Sequence, residues 1–394
     1  MKWQDIPLSA LAEIKSGGGA PQAADAFSDD GHPFVRAGSL VKLLSGSLET
    51  ELEKITPEVA RANGLKLFPA GTVLFAKSGM SATKGYIYAL RDEAYVVNHL
   101  AAIVPHTSSD SAFLSHALQL FSPTRLIKDP AYPSIRLGDI ADMKIHAPRD
   151  TIERGRIAAI LDAADALRRK RREALARIEV LTQAIFVEMF VQGNSGGWPV
   201  MSVADLALDL RTGPFGSQLL HSEFVDSGIA VLGIDNAVKN EFSWNERRYI
   251  SIKKYNQLKK FTVRPGDVII TIMGTCGRCA IIPDDIPLAI NTKHLCSITL
   301  NKTKILPEFL HATFLYNSKI LERLGVQSRG AVMPGLNMGK IKSLSFPIPP
   351  LALQATFRDR VQTASSLRDC HLQGIAHLDT LFASLQHRAF RGEL

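Results

Sequence analysis

Apolar residues recur at alternating steps of three and four in the stretch from Thr151 to Phe190. This spacing places them on one face of a helix and is typical of a helix that packs against another helix. No proline or glycine follows Gly155 in this stretch, so we predict a helix of about 35 residues, roughly 50 Å long. Its predicted seam is Ile157, Ile160, Ala164, Leu167, Ala174, Ile178, Leu181 and Ile185, interrupted by Arg171 and Glu188.

A second stretch, from Leu351 to Phe390, has the same spacing and supplies a partner for the first helix. Gly374 is the only residue inside it that weakens a helix. Prolines precede both stretches, where proline is tolerated. We therefore predict two long helices that pair as an antiparallel coiled coil. The predicted seam of the second helix is Phe357, Val361, Ala364, Leu367, Ile375, Leu378, Leu381 and Leu385.

The blocks that precede the two helices resemble each other. Trp3 and His99 of the first block have counterparts in Trp198 and His294 of the second, at an offset of about 195 residues, too long for a solenoid repeat. The repeat therefore indicates that a whole domain and its helix are duplicated.

This duplication divides the chain into four parts. Residues 1–150 and 194–350 are predicted to be two similar domains, each large enough to bury its own core. Residues 151–193 and 351–394 are predicted to be the long helices, which act as spacers. Apolar runs around glycine-rich connections predict hairpins inside both domains. The predicted fold class is α+β, with two mixed, strand-rich domains separated by two long helices.

The overall composition is that of an ordinary globular protein, with 46% hydrophobic and 21% charged residues. The net charge of +8 is compatible with a polyanionic partner, but it is also common in proteins that do not bind nucleic acid. The sequence has no apolar run of membrane-spanning length, and its first residues lack the architecture of a signal peptide. The spacing of its four cysteines does not suggest a disulfide framework. We expect a cytoplasmic protein without membrane contact.

Four motifs occur in a fixed order along the chain: Thr-Gly-Pro-Phe-Gly-Ser-Gln at 212–218, Pro-Gly-Asp-Val-Ile at 265–269, the run from Met338 to Pro350, and Ala-Phe-Arg-Gly-Glu-Leu at 389–394. Together with the duplication, they resemble the DNA-specificity subunit of type I restriction-modification systems. The likeness covers essentially the whole chain. The first domain is the more divergent copy, since the glycine-rich segment 15–20 replaces the loop of the second domain.

The resemblance implies a non-catalytic protein with two target-recognition domains. Each domain would read one half of a bipartite target in double-stranded DNA, and the helix pair would set the gap and dock methyltransferase subunits, expected to be two. Restriction and translocase subunits would complete the complex. The resemblance implies no cofactor and no metal in this chain, while S-adenosylmethionine, ATP and Mg²⁺ are expected on the partner subunits.

Loops that enter the major groove use polar and basic side chains to contact base edges, and glycines to approach the phosphates. For each candidate, a solvated loop residue is the competing interpretation. The candidates in the first domain are Arg36, Lys77, Ser78, Lys84 and Tyr132. Those in the second domain are Arg211, Ser217, Gln218, Arg278, Lys293 and Arg329.

Enzyme chemistry is the less favoured interpretation of two further patterns. The sequence Asp-Pro-Ala-Tyr at 129–132 differs by one residue from a motif of DNA methyltransferases, but Ser16–Gly19 is a poor cofactor-binding loop. The paired histidines His99 and His294 could be a duplicated catalytic group, although hydrogen-bonded structural histidines are the favoured interpretation.

The second domain also contains a group that could bind zinc, because Cys276, Cys279, His294 and Cys296 have suitable residue types and spacing. The first domain has no cysteine in the equivalent loop, so reduced cysteines in a strand-rich interior are favoured.

The basic run Arg168–Arg172 on the first helix is interpreted as a solvated face, with DNA or an acidic partner surface as the other interpretation. For the whole chain, the main alternative is a coiled-coil scaffold that bridges two protein partners without sequence-specific DNA reading. An enzyme that is active on its own is a second alternative.

Overall fold

The computed structural model describes residues 3–192, 197–325 and 336–394. The chain forms two compact units: a first unit of Met1–Glu173 with Leu372–Leu394, and a second unit of Ala174–His371. Each unit thus contains one of the repeated domains and parts of both long helices. In the described residues, no helix is both long enough and apolar enough to cross a membrane.

In the described residues, the first unit contains ten strands, arranged as two four-stranded sheets and one two-stranded sheet. The strands are β1 (Trp3–Pro7), β2 (Ala12–Ser16), β3 (His32–Val35), β4 (Lys54–Ile55), β5 (Leu67–Phe68), β6 (Val73–Ala76), β7 (Ile87–Ala89), β8 (Ala94–Val96), β9 (Leu100–Pro105) and β10 (Lys144–Pro148). The helices are α1 (Ser39–Leu44), α2 (Pro57–Ala62), α3 (Asp110–Leu120), α4 (Leu137–Ala141) and the start of the long helix α5 (Thr151–Phe186).

The second unit repeats this arrangement. Its strands are β11 (Val200–Ser202), β12 (Ala207–Thr212), β13 (Phe224–Val225), β14 (Ile229–Leu232), β15 (Arg248–Ile250), β16 (Val268–Thr271), β17 (Cys279–Ile281), β18 (Ala289–Asn291), β19 (Leu295–Leu300) and β20 (Ser345–Pro347). Its helices are α6 (Val203–Leu206), α7 (Ile252–Leu258), α8 (Pro307–Tyr316), α9 (Ser318–Leu324) and α10 (Met338–Ser343), and the chain ends with the long helix α11 (Leu351–Ala389).

The sheet topology confirms the predicted fold class and the duplication. The sheet β2-β9-β6-β7 of the first unit corresponds to β12-β19-β16-β17 of the second. In the other pair of sheets, β3 runs parallel to β8, just as β14 runs parallel to β18. The predicted hairpins are the antiparallel pairs β6–β7 and β16–β17.

The central strands β6 and β16 are buried along their whole length. On one face of β6, Val73 and Phe75 pack with Phe113 of α3. On the other face, Leu74 and Ala76 pack in a second cluster with residues of β3 and β8. A strand covered on both faces has a continuous apolar sequence, and this pattern predicted the strands of the two hairpins.

The long helices form antiparallel pairs, as predicted. A π-helical segment, Val187–Gln192, extends α5. In the first unit, Ile157 and Leu161 of α5 share a core with Phe382 of α11 and with Phe390, the residue after that helix. In the second unit, Phe186 packs on Phe357 with ring centroids 6.0 Å apart.

Six of the eight predicted seam residues of each helix are buried or half-buried, but four of the predicted leucines are exposed. Leu167, Leu181, Leu367 and Leu381 are 56%, 38%, 46% and 50% exposed. Glu188, assigned to the seam as an interruption, also has an exposed side chain. An α-helix drifts relative to a strict seven-residue repeat, and here the helices also pack against globular domains, so the buried face shifts by one residue at these positions.

The basic run of α5 is held by contacts between the two helices of the first unit. Arg168 lies over the ring of Phe382, 4.3 Å from its centroid, and donates to Asp379 at 2.6 Å. Arg171 lies against Gly374, where an added Cβ would come within 2.1 Å of its Nη1. The glycine in α11 therefore makes room for a guanidinium group of α5.

Candidate nucleic-acid interface

Several strands of the first unit end at one edge of its sheets. Ser16, the last residue of β2, pairs with Ala101, and Ala76, the last residue of β6, pairs with Leu100. Both strands therefore end beside the start of β9. The loop after β2 also forms a bridge with the loop after β8, so these connections converge.

His99 lies at the centre of this edge. Its carbonyl oxygen accepts a hydrogen bond from the backbone N–H of Lys77 at 2.9 Å. Its Nδ1 lies 2.8 Å from Oγ of Ser78. The backbone N–H of the preceding Asn98 donates to the carbonyl oxygen of Gly18 at 2.7 Å. These bonds hold three loops in one arrangement.

Arg36 and His99 line a cleft of about 500 Å³ at this edge. The guanidinium group of Arg36 pairs with Glu53 at 3.0 Å, and its side chain is 44% exposed. It also lies over the rings of Phe27 and Phe34, 5.0 and 5.4 Å from their centroids. These contacts restrain the guanidinium group while leaving part of it accessible to a ligand.

One glycine in each domain permits a close backbone approach at this edge. A Cβ added at Gly17 would come within 2.0 Å of the carbonyl oxygen of Val96. At the corresponding Gly213, it would come within 2.2 Å of the carbonyl oxygen of Asn291. Only glycine lets the loop after β2 or β12 lie directly against the end of β8 or β18.

The second unit builds the same edge. Thr212, at the end of β12, pairs with Cys296, and Thr271, at the end of β16, pairs with Leu295. The backbone N–H of the residue after β16 donates to the carbonyl oxygen of His294 at 2.9 Å, as at His99 in the first unit. The two histidines are therefore equivalent in structure as well as in sequence.

Positive charge surrounds His294. Burial lowers its pKa, and the nearby charges of Lys293 and Arg248 lower it further. Arg248 itself forms an ion pair with Asp235. The imidazole of His294 is therefore held toward its neutral form, and the positive charge of this edge is carried by the lysine and the arginine.

Most of the first domain's candidate residues lie at this edge. Tyr132 is 82% exposed, and its loop is joined to the Ser78 loop by the bond from the N–H of Gly79 to the carbonyl of Pro133, at 2.9 Å. Lys84 is exposed but ends a 3₁₀ helix, and no contact in the described residues joins it to the cleft. The candidates brought together are Arg36, Lys77, Ser78 and Tyr132.

The candidates of the second domain have more varied positions. Ser217 and Gln218 are exposed in the loop after β12. Arg278 is exposed in the connection between β16 and β17, and Lys293 is half-buried just before β19. Arg329 lies outside the described residues.

Arg211 has a different role from the one predicted for it. It is 8% exposed, and it donates to Asp267 at 2.6 Å and to Asp209 and Thr299 at 2.8 Å. It also donates to the carbonyl of Thr262 at 2.7 and 3.0 Å. A guanidinium group used in this way inside the domain is not available to DNA, so Arg211 has a structural role.

Comparison with known proteins places the chain in a family. The model of the type I restriction-modification DNA specificity domain matches residues 1–178 and 223–366. The chain belongs to this family. The EcoBI specificity subunit of Escherichia coli is 29% identical over 175 residues, which are 43% of this chain and 36% of that protein. The MjaIX specificity subunit of Methanocaldococcus jannaschii is 26% identical over 153 residues, 38% of this chain and 35% of that protein. The aligned segments thus span about a third of these relatives.

Solved structures show the same fold over the whole chain. The S subunit of a type I restriction-modification system from M. genitalium superposes with a TM-score of 0.60 at 13% identity, covering 99% of this chain and 96% of that one. A chain from a structural study of assembly and conformational transition in the type I R-M system gives a TM-score of 0.62 at 17% identity, covering 100% and 98%. At these identities, the likeness concerns the fold alone.

The cysteines of the second specificity domain are free thiols. Cys276, Cys279 and Cys296 are buried, and burial raises the pKa of Cys279 and raises that of Cys296 to about 12. Over residues 3–192, 197–325 and 336–394, no group of three or more His, Cys, Asp or Glu residues could hold a metal ion. The zinc interpretation therefore has no support in the described geometry.

Sequence reasoning missed Arg248 as a member of the edge in the second specificity domain. Arg248 does not align with a basic residue of the first domain, and it lies about 45 residues before His294 in the chain. Only the pairing of β14 with β15 and β18 brings it beside the histidine. Because strand pairing is a property of the fold, the sequence alone carries no signal for this position.

Proposed function

We propose that this chain is the non-catalytic, DNA-reading subunit of a type I restriction-modification complex. Each domain reads one half of a bipartite target in double-stranded DNA, and the helix pair sets the unread gap between the halves. The observation that carries the proposal is the repeated edge, where a histidine, basic side chains and close-packed glycine loops recur in both domains. Loops of this composition suit contacts with base edges and phosphates.

In this proposal, methylation and cleavage are carried out by partner subunits. S-adenosylmethionine, ATP and Mg²⁺ are bound by two methyltransferase subunits and by restriction and translocase subunits. The described loops support this division, since Ser16–Gly19 packs against the end of β8 rather than opening a helix, as a dinucleotide-binding loop would. The segment 129–132 forms an exposed turn, in which the carboxylate of Asp129 accepts a hydrogen bond from the N–H of Ala131 at 2.9 Å.

The proposal predicts that methylation in the source cell depends on this chain. A map of methylated bases, made before and after deletion of this gene alone, should show one split motif that disappears. Exchange of residues 1–150 for those of another specificity subunit should then change only one half of the motif. If every methylated motif survives the deletion, the alternative of a coiled-coil scaffold that bridges two protein partners would be favoured.

The long helices also carry a surface suited to partner subunits. Leu181 of α5 and Leu367 of α11 are 38% and 46% exposed, and the apolar face of a helix is one of the surfaces through which proteins associate. We propose that these leucines contribute to docking of the methyltransferase subunits.

Charge introduced at these leucines should weaken that docking. We expect Leu181→Glu and Leu367→Glu together to reduce the affinity for the methyltransferase subunit at least tenfold, about 1.4 kcal/mol, because each carboxylate would lose water in the interface. Titration of the purified chains by calorimetry measures the change. Gln183→Glu with Ser366→Glu, at exposed polar positions on the same helices, is the control with equal charge. An equal loss in both double variants would argue against docking at the leucines.

A further inference from the structure

Each domain has an arginine at this edge, but the two arginines come from different elements of the fold. The N–H of Val97 donates to the carbonyl of Val35 at 3.0 Å, and the N–H of Thr292 donates to the carbonyl of Leu232 at 2.9 Å. These two bonds are equivalent in the two copies. Each joins the last residue of one parallel strand, β3 or β14, to the residue that follows the strand paired with it, β8 or β18. Val35 therefore corresponds to Leu232, and Arg36, the next residue, corresponds to a glycine, Gly233.

The neighbouring antiparallel strand completes the comparison. In the first domain, the N–H of Phe34 donates to the carbonyl of Glu53 at 2.8 Å, just before β4. In the second domain, the residue equivalent to Phe34 is Val231, which pairs with Arg248 of β15. Glu53 and Arg248 therefore occupy equivalent positions, with opposite charges.

The arginine and the acid of the ion pair at this edge have therefore changed places between the two copies. In the first domain, the arginine lies on the loop after β3 and its acid, Glu53, on the neighbouring strand. In the second domain, the acid, Asp235, lies on the loop after β14, and the arginine, Arg248, on the neighbouring strand. Gly233 makes this possible, because a Cβ there would come within 2.4 Å of Nη2 of Arg248.

Both arginines lie beside the equivalent histidines. Arg36 lines the same cleft as His99, and the charge of Arg248 is close enough to lower the pKa of His294. The edge therefore keeps a guanidinium group in each copy, although its position in the sequence has changed.

Stability does not account for the pair in the first domain. The side chains of Arg36 and Glu53 are 44% and 58% exposed, and an ion pair this exposed to water contributes little to stability. A carboxylate that holds a guanidinium group in one orientation does, however, reduce the ordering that binding would require. The planar guanidinium group can then donate two parallel hydrogen bonds to O6 and N7 of guanine, the commonest specific contact in the major groove.

We propose that Arg36 and Arg248 are equivalent specificity-determining residues, each of which reads a guanine in the half-site of its own domain. The proposal rests on the proposed function. It assigns the same recognition chemistry to both domains despite the exchange of strands, and it predicts at least one guanine in each half of the target.

The test uses the whole complex, formed by this chain and its methyltransferase subunits. The target is first mapped with the unchanged chain, and binding is then measured on DNA that carries each of the four bases at every position. Arg36→Ala should reduce the preference for guanine over the other bases about 5- to 150-fold at one position of the first half-site. Discrimination in the second half-site should not change. Arg248→Ala should do the reverse. Arg36→Lys and Arg248→Lys keep the charge but lose the paired donors, so they should also lose discrimination.

The exposed arginines Arg61 and Arg264 supply control variants to alanine outside the edge. Discrimination at the unaltered half-site shows that each variant complex is folded. A uniform loss of affinity for all sequences would indicate a phosphate contact and overturn the proposal, as would unchanged discrimination. If the unchanged complex recognises no split motif, the proposed function itself is wrong. If it recognises one and the arginine variants discriminate between bases as the unchanged chain does, only this inference is wrong.

Discussion

Replacement of Asp267 by alanine should lower the free energy of unfolding of the second unit by about 3–5 kcal/mol. Asp267 is 1% exposed and accepts hydrogen bonds from Arg211 at 2.6 Å, from Ser297 at 2.9 Å and from Thr299 at 2.7 Å. Its loss would leave a buried guanidinium group and two hydroxyl groups without this acceptor. Urea unfolding followed by the fluorescence of Trp198 and Trp244, both in the second unit, measures the change.

The matched control removes the other carboxylate that contacts the same arginine. The Asp209 side chain is 45% exposed and lies 2.8 Å from Nη1 of Arg211. Because water can replace a carboxylate at an exposed site, Asp209→Ala should cost no more than about 1 kcal/mol. Equal effects of the two substitutions would contradict the assignment of Asp267 as the buried partner. The result also bears on the site, because Arg211 was predicted to contact DNA and here has a structural role.

Replacement of Phe357 by alanine should cost the second unit about 3–5 kcal/mol, since it removes a large side chain from a packed core. Phe357 is fully buried and packs on Phe186 and Phe190, with ring centroids 6.0 and 5.2 Å away. Phe190 in turn lies 4.8 Å from Phe309 of α8. The cluster thus joins both long helices to the domain, so a cavity at its centre weakens all three.

Leu367→Ala is the control on the same helix. Leu367 was predicted to lie in the seam, but it is 46% exposed, so its loss should change the free energy of unfolding by no more than about 0.5 kcal/mol. The same urea experiment compares the two variants. A larger cost at Leu367 than at Phe357 would show that the strict heptad assignment describes the helix pair better than the packing seen here.

The two domains share one scaffold but differ in the side chains at the repeated edge. The sheets and the backbone bonds around the histidines are repeated, whereas the side chains at the same edge differ in type and in strand of origin. Loops on a rigid scaffold can change without loss of the core. A difference between the two half-sites of the proposed target is therefore expected from loop residues alone.

The sequence by itself determined the duplication, the two long helices, the hairpins and the family resemblance. These features depend on periodicity, on glycine and proline positions and on a repeat, all of which are local or one-dimensional properties. Both helices begin where they were predicted, at Thr151 and Leu351.

The tertiary structure alone decided which arginines face the edge and which leucines face the seam. Arg211 is inside the domain because Asp267 and Thr299, distant in sequence, surround it, while Arg248 reaches the edge through the pairing of β14 with β15. Leu167 is exposed because Arg168 takes the contact with Phe382. In each case the orientation of a side chain depends on residues from another part of the chain, and no local pattern contains that information.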